Sequence, residues 1–165
     1  EQIQGSTLPI VLDADAINIL STHRNWLSRI PKRCILTPHL GELERLIGKC
    51  MDTYERLTKV KELAAYLQSY IIVKGAWTCI VTPEGNYYFN PTGNPGMATG
   101  GSGDVLTGIL LGLLAQGYER EDACRLGVYV HGLAGNLAAE EKTEIGMTAN
   151  DIIEALPKAW KTLTT

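Results

Sequence analysis

Residues 93–114 read GNPGMATGGSGDVLTGILLGLL, a glycine-rich stretch that runs directly into an apolar segment. Its first half carries glycines at positions 93, 96, 100, 101 and 103, and this density indicates a tight loop with accessible backbone N–H groups. The apolar segment from Val105 spans about three helical turns and predicts a buried helix, because it is apolar on nearly every face. Unpaired N–H groups and the helix dipole both favour negative charge, so the stretch predicts a site for phosphate or another anion.

Asp104 lies where the loop meets the helix. A carboxylate there can simply cap the helix, which is worth about 1 kcal/mol, and many glycine-rich segments are only turns. Five glycines beside an acid favour the anion-binding interpretation. In that case Asp104 would have a catalytic role rather than only cap the helix. The segment is not a Walker loop, because Ser102 stands where that motif requires lysine, and the chain has no GxGxxG motif after a strand.

Composition restricts the class of protein. The 165 residues, 45% of them hydrophobic, suffice for one domain with a substantial core. A net charge of −3 without a basic run argues against nucleic acid or an anionic membrane as the main partner. The sequence lacks an apolar run of membrane-spanning length, so we expect a soluble, cytoplasmic protein. The four cysteines form no CxxC pair, and each is expected to be a buried, small apolar residue.

Alternating short apolar runs and helical periodicity predict an α/β fold. Strands are predicted at 9–13, 34–37, 70–73, 78–82 and 87–89. Lys74-Gly75 is interpreted as an interruption of the strand 70–73, which continues at Thr78. Helices are predicted after Asp13, at 40–48, from Asp52 to Leu67, from Val105, at 121–139 and at 147–160, the last bent or ended near Pro157. The first strand begins almost at once, without earlier neighbours to cover it, so we expect a partial domain.

Several polar side chains follow predicted strands, and ligands of open α/β sheets bind beyond the carboxyl ends of strands. Asp13, Asp15 and Asn18 follow the first strand, although Asp15 would equally serve as a helix cap. His39 stands at a strand-to-helix turn, where it could contact a ligand or be an exposed polar group. Lys74 ends a buried strand next to a glycine, so its ammonium could reach a nucleotide or only solvent.

The predicted helix 121–139 contains Gly127, Gly132 and Gly135, each of which costs about 1 kcal/mol of helix propensity. Such a cost suggests that another backbone packs close to this helix. His131 and Asn136 are interpreted as surface or packing groups outside the site.

The chain resembles the carboxyl-terminal part of the ADP/ATP-dependent NAD(P)H-hydrate dehydratases, a family of the ribokinase-like superfamily. The resemblance covers essentially the whole chain, through VLDADAINIL, ILTPHLGELERLIG, IIVKGAWT, NPGMATGGSGDVLTGILLGLLAQG and GMTANDIIEALP. GGSGDVLTG alone is typical of the superfamily, and its combination with TPHLGE and NPGMATGG makes the dehydratase interpretation specific. The resemblance implies a three-layer α/β/α sandwich with a mostly parallel sheet, of which residues 1–165 form the carboxyl-terminal part of one nucleotide-binding domain.

The resemblance also implies site residues. Asp104 would contact the substrate and act as the base, and His39 would contact the hydrated nicotinamide nucleotide. The nucleotide-binding residues would be Lys74, Gly75, Ala76, Trp77, Thr78, Asn94, Pro95, Gly96, Met97, Ala98, Thr99, Gly100, Gly101, Ser102 and Gly103.

The implied reaction uses ADP or ATP with Mg²⁺ to dehydrate the S-epimer of hydrated NADH or NADPH. The resemblance implies a homo-oligomer. It also implies that the amino-terminal strands of the family domain are absent here. Either another chain supplies these strands or this chain alone is inactive. Two alternatives share the glycine loop: a small-molecule kinase of the ribokinase type, and a nucleotide-binding module without catalysis.

Overall fold

The computed structural model describes residues 3–164. Five short strands form one sheet in the order of the chain. They are β1 (Val11–Leu12), β2 (Ile35–Leu36), β3 (Tyr70–Val73), β4 (Cys79–Val81) and β5 (Tyr87–Phe89). The first three strands run parallel, whereas β4 and β5 pair antiparallel. The segment 74–78 is therefore the turn of a hairpin, and the predicted continuation of one strand through Lys74-Gly75 is wrong.

Six α-helices accompany the sheet in the described part of the chain. They are α1 (Asp15–Thr22), α2 (Leu40–Ile47), α3 (Thr53–Leu67), α4 (Ser102–Ala115), α5 (Arg120–Lys142) and α6 (Ala149–Leu163). Short 3-10 helices occupy Arg24–Arg29 and Pro95–Met97. Helix α6 continues through Pro157 to Leu163 rather than ending there.

Helices cover both faces of the sheet because successive strand residues point to opposite faces. Ile72 and Ile80 pack with α4 and α5 on one face. Ile71 and Val73 pack with α2 and α3 on the other. Helix α6 packs on α5 outside the first of these layers. The predicted α/β/α sandwich is confirmed.

Helix α4 differs from its predicted form in two ways. Its N-cap is Gly101 with φ of +89°, so Asp104 lies in the first turn and is not the cap. The helix is also not covered on every side, because Leu111 is 44% exposed. A groove of about 840 Å³ runs along this side between α4 and α6, from Asp104 to Trp160.

The described residues contain no helix long and apolar enough to cross a membrane. All four cysteines are free, and three of them are buried as predicted, whereas Cys50 is partly exposed. Burial raises the pKa of the Cys34 and Cys79 thiols to about 11, so both are protonated at neutral pH.

Candidate functional site

The loop before α4 is shaped by local hydrogen bonds and one left-handed residue. The Asn94 side chain accepts a hydrogen bond from the Gly96 N–H (3.0 Å) and so begins the 3-10 turn. Gly101, with its positive φ, then turns the chain into α4. The N–H groups of Gly100, Gly101, Gly103 and Asp104 find no acceptor within residues 3–164. This is the arrangement of accessible amides that the sequence predicted.

Lys74 reaches this loop from the end of β3. A Cβ placed on Gly103 would lie only 3.2 Å from the Lys74 Nζ, so the glycine permits the close approach of the ammonium. The Nζ lies 2.7 Å from Asp13 Oδ1, at the end of β1. The Thr107 hydroxyl, one turn into α4, donates to the other carboxylate oxygen at 3.2 Å. Parallel strands thus bring an ion pair to the N-terminus of α4.

The charge state of Asp13 follows from its surroundings. Burial opposes ionisation of the carboxyl and is the largest single cause, whereas the hydrogen bond and charge of Lys74 favour ionisation. Hydrogen bonds from the Thr37 side chain and the Ala14 N–H act in the same direction, and the net effect lowers the pKa of Asp13. Asp13 is therefore anionic at neutral pH and holds Lys74 in place.

The other two polar residues after β1 do not join this cluster. Asp15 is the exposed first residue of α1, whose N-cap is Ala14, so its predicted capping role is wrong. The Asn18 side-chain oxygen accepts a hydrogen bond from Arg45 at 2.7 Å. Only Asp13 of this set faces the loop.

His39 caps α2 next to Lys74. Its Nδ1 accepts from the N–H groups of Gly41 (3.0 Å) and Glu42 (3.3 Å), while Glu42 accepts from the His39 N–H at 2.9 Å. The helical spacing of Leu40, Leu43 and Leu46 predicts that Glu42 lies on the solvent side of α2. This prediction is wrong, because Glu42 is 4% exposed and completes the capping box. His39 forms a parallel bridge with Lys74, and its half-exposed ring is accessible beside the cluster.

The hairpin turn after Lys74 is held by Thr78. The Thr78 hydroxyl donates to the Gly75 carbonyl at 3.2 Å and lies 3.4 Å from the Gly75 N–H. The Trp77 side chain is 69% exposed at the tip of this turn. An exposed indole offers a face on which a planar base can stack.

Asp104 does not take part in the ion pair of Asp13 and Lys74. Its side chain is exposed, makes no hydrogen bond or ion pair within the described residues, and lies at the mouth of the groove between α4 and α6. Gly108 on α4 and Ile153, Leu156 and Trp160 on α6 continue this groove. The structure thus places the predicted base and the predicted anion donors in the same turn of α4, with the base free to meet another group.

Helix α5 contacts the loop at points that sequence reasoning left out of the site. The Asn136 side chain accepts from Asn94 Nδ2 at 3.1 Å, and His131 Nε2 lies 3.3 Å from Ser102 Oγ. A Cβ on Gly132 or Gly135 would overlap Thr92 or Met97, respectively. The glycines of this helix were the available signal: the backbone of Thr92 packs against Gly132 as predicted, whereas Gly135 is contacted by the Met97 side chain.

Comparison with known proteins identifies the family. A family model described as NAD(P)H-hydrate dehydratase matches residues 1–158. The chain belongs to this family. Among curated relatives, the bifunctional NAD(P)H-hydrate repair enzyme Nnr of Thermofilum pendens is 43% identical over 157 residues, which are 94% of this chain and 30% of that protein. The ADP-dependent (S)-NAD(P)H-hydrate dehydratase of Bacillus subtilis is 38% identical over 98% of this chain and 57% of its own length.

Solved structures of this family share the fold. The Bacillus subtilis ADP/ATP-dependent NAD(P)H-hydrate dehydratase, co-crystallised with ATP/Mg²⁺ and soaked with CoA, superposes with a TM-score of 0.81 at 36% identity. The match covers 97% of this chain and 58% of that one. Ribokinase of Arabidopsis thaliana, at 18% identity and a TM-score of 0.56, shares the fold alone. The sandwich is therefore ribokinase-like, and this chain spans a third to somewhat over half of the length of these dehydratase relatives.

Proposed function

We propose that this chain carries the nucleotide-binding and catalytic part of a hydro-lyase that uses ADP or ATP to dehydrate the S-epimer of hydrated NAD(P)H to NAD(P)H. One observation carries the proposal: the unpaired N–H groups of Gly100, Gly101 and Gly103, the Lys74 ammonium and the exposed Asp104 carboxylate meet at the N-terminus of α4. Membership of the dehydratase family supplies the reaction, and the Bacillus subtilis relative is named as ADP-dependent.

The chemistry requires a better leaving group than hydroxide. In the proposed reaction the substrate hydroxyl oxygen attacks the terminal phosphorus of the nucleotide, and the bond from that phosphorus to the bridging oxygen breaks. The carbon–oxygen bond of the substrate then breaks as the ring nitrogen lone pair expels phosphate, and the neighbouring ring carbon loses a proton, which leaves with the phosphate as hydrogen phosphate. The products are NAD(P)H, inorganic phosphate and the shortened nucleotide, and no electrons enter or leave.

The residues of the site divide this work. Amides of the loop and the dipole of α4 would stabilise the charge on the transferred phosphoryl group. Lys74, whose ammonium lies against Gly103, would add a full positive charge on the same side. Asp104 would accept the hydroxyl proton, since its carboxylate has no competing partner in the described part of the chain. His39 would contact the hydrated nicotinamide, and the 74–78 turn with Trp77 would hold the adenine.

Magnesium is proposed to accompany the nucleotide. Residues 3–164 form no group of three or more His, Cys, Asp or Glu side chains able to hold a metal ion. Mg²⁺ commonly binds phosphate oxygens with few protein ligands. Asp13 is already engaged by Lys74 and Thr107, so these side chains do not form a magnesium site by themselves.

The test uses a hybrid as well as the chain itself. The chain replaces the matching region of the Bacillus subtilis dehydratase, and both proteins are incubated with hydrated NADH, Mg²⁺ and ADP or ATP. We expect the hybrid to regain the absorbance of reduced nicotinamide and to release phosphate in equal amount. A folded hybrid that binds ADP but regains no NADH would reject the proposal. A stable phosphorylated product without NADH would favour the kinase alternative.

A further inference from the structure

Helix α5 holds both ends of the glycine loop. At the beginning of the loop, Asn136 bonds Asn94, which caps the 3-10 turn. At its end, His131 contacts Ser102, the first residue of α4. Between these points the glycine-rich surface of α5 lets Met97 pack against Gly135. The loop is therefore held to one helix near both of its ends.

Ser102 is turned into the protein rather than toward a ligand. The residue is 6% exposed, and its hydroxyl is directed at His131, 29 positions further along the chain. Its neighbours Gly101 and Gly103 have no side chains that could fix the loop. Ser102 is thus the one anchor with a polar side chain among residues 100–103.

His131 is suited to this contact because it stays neutral. Burial is the main cause that lowers the pKa of its imidazole to about 4; a hydrogen bond with the Ser102 backbone opposes the shift, and the Lys74 ammonium adds to it. A neutral ring has one nitrogen that accepts and one that donates, so its Nε2 can share a hydrogen bond with the Ser102 hydroxyl, in the direction set by the tautomer, without adding charge beside the anion donors.

We propose that His131 is a positioning residue, which fixes Ser102 and thereby holds the N–H groups of Gly103 and Asp104 in the orientation that receives a phosphate. The proposal rests on the proposed function only in taking the ligand to be a nucleotide phosphate. A preorganised loop binds more tightly because less conformational freedom is lost on binding, and glycines have the most freedom to lose. One such hydrogen bond corresponds to roughly a threefold to tenfold change in affinity.

The variants separate this role from general packing. His131→Leu removes the polar contact, whereas His131→Gln keeps an amide within reach of the Ser102 hydroxyl. Ser102→Ala removes the other partner. Val128→Ala is the matched control, because Val128 is buried on the same helix one turn earlier and packs in the core with the sheet and α4.

Two measurements make up the test. Calorimetry with ADP should show affinity reduced threefold to tenfold in His131→Leu and in Ser102→Ala, no further loss in the double variant, and recovery in His131→Gln. NMR of the protein without nucleotide should show shifted and faster-exchanging amides of Gly103 and Asp104 in His131→Leu, but not in Val128→Ala.

The amide measurement needs no ligand, so it tests the positioning role even where ADP fails to bind the parent protein and the proposed function fails. Amides of Gly103 and Asp104 that are unchanged in His131→Leu would overturn the inference. An ADP affinity that falls equally in His131→Leu and Val128→Ala would also overturn it, because that loss would reflect packing alone.

Discussion

The Lys74 ammonium lies 2.7 Å from the Asp13 carboxylate, at a point where β1 and β3 end beside the first turn of α4. The pair joins two strands that are not neighbours in the sheet, since β2 lies between them. It also fixes a cation against Gly103 before any ligand arrives. A charged donor that is already positioned needs little reorganisation when an anion binds.

Removal of both partners of this ion pair should cost less than the two single removals added together. Asp13→Asn leaves the Lys74 ammonium without its counter-charge, and we expect the free energy of unfolding to fall by about 1–3 kcal/mol. In the double variant with Lys74→Met the loss should be smaller than the sum of the two single losses. Urea denaturation of the three variants measures this coupling, and additive losses would contradict it.

Asp104→Asn should separate catalysis from binding. We expect turnover of the hybrid enzyme to fall by at least about 100-fold, because a general base contributes roughly 10²–10⁴ in rate. ADP affinity should stay within a factor of about three, since the amide donors remain. Asp15→Asn is the matched control, as Asp15 is also an exposed acid at the start of a helix. Unchanged turnover in Asp104→Asn would remove Asp104 from the catalytic role.

Two adjacent glycines should respond differently to alanine. Gly101 has φ of +89°, and a Cβ there would lie 3.1 Å from the Ala149 Cβ. We therefore expect Gly101→Ala to lower the free energy of unfolding by about 1–2 kcal/mol and to weaken ADP binding. Gly100 has open space around its Cβ position, so Gly100→Ala should change stability by less than about 0.5 kcal/mol. Thermal denaturation and calorimetry compare the two. Equal effects would show that loop conformation does not depend on Gly101.

Stability should decline at mildly acidic pH through His131. Burial, aided by the Lys74 charge, lowers the pKa of this imidazole from 6.5 to about 4. Below pH 6.5 the unfolded chain therefore binds a proton that the folded chain refuses, and folding stability falls as pH drops toward 4. Between pH 7 and pH 5 this amounts to about 1–2 kcal/mol.

His131→Gln cannot titrate, so its decline over the same interval should be shallower by that amount. Urea denaturation at both pH values measures the difference between the two proteins. Parallel declines would show that His131 does not carry the pH dependence.

Much of the local structure could be predicted from the sequence, because it depends on neighbours in the chain. Asp52 accepts from the Glu55 N–H at 2.8 Å as the N-cap of α3. At the start of α6, the spacing of Thr148 and Asp151 is typical of a capping pair, and Asp151 accepts hydrogen bonds from the Thr148 N–H at 2.7 Å and the Thr148 hydroxyl at 2.6 Å. The strand 70–73 was predicted with its observed bounds. Each of these features needs only residues within about one helical turn or one strand run.

Features that depend on distant residues were missed or misplaced. Glu42 was placed on the solvent side by helical periodicity, yet its capping contact with His39 draws it into the interior. Helix α4 was predicted as buried on every side, yet the residues described leave one side uncovered. Periodicity states which faces of a helix are apolar, but it does not state what covers them.

The sequence by itself determined the glycine loop, the helix that follows it, the strands of the sheet and, through its motifs, membership of the dehydratase family. Tertiary structure alone decided that Asp13 pairs with Lys74 and that His131 meets Ser102. These contacts join residues 61 and 29 positions apart. Such pairs form only when strand order and helix packing bring separate elements together. A local sequence pattern does not show which distant residues will be in contact.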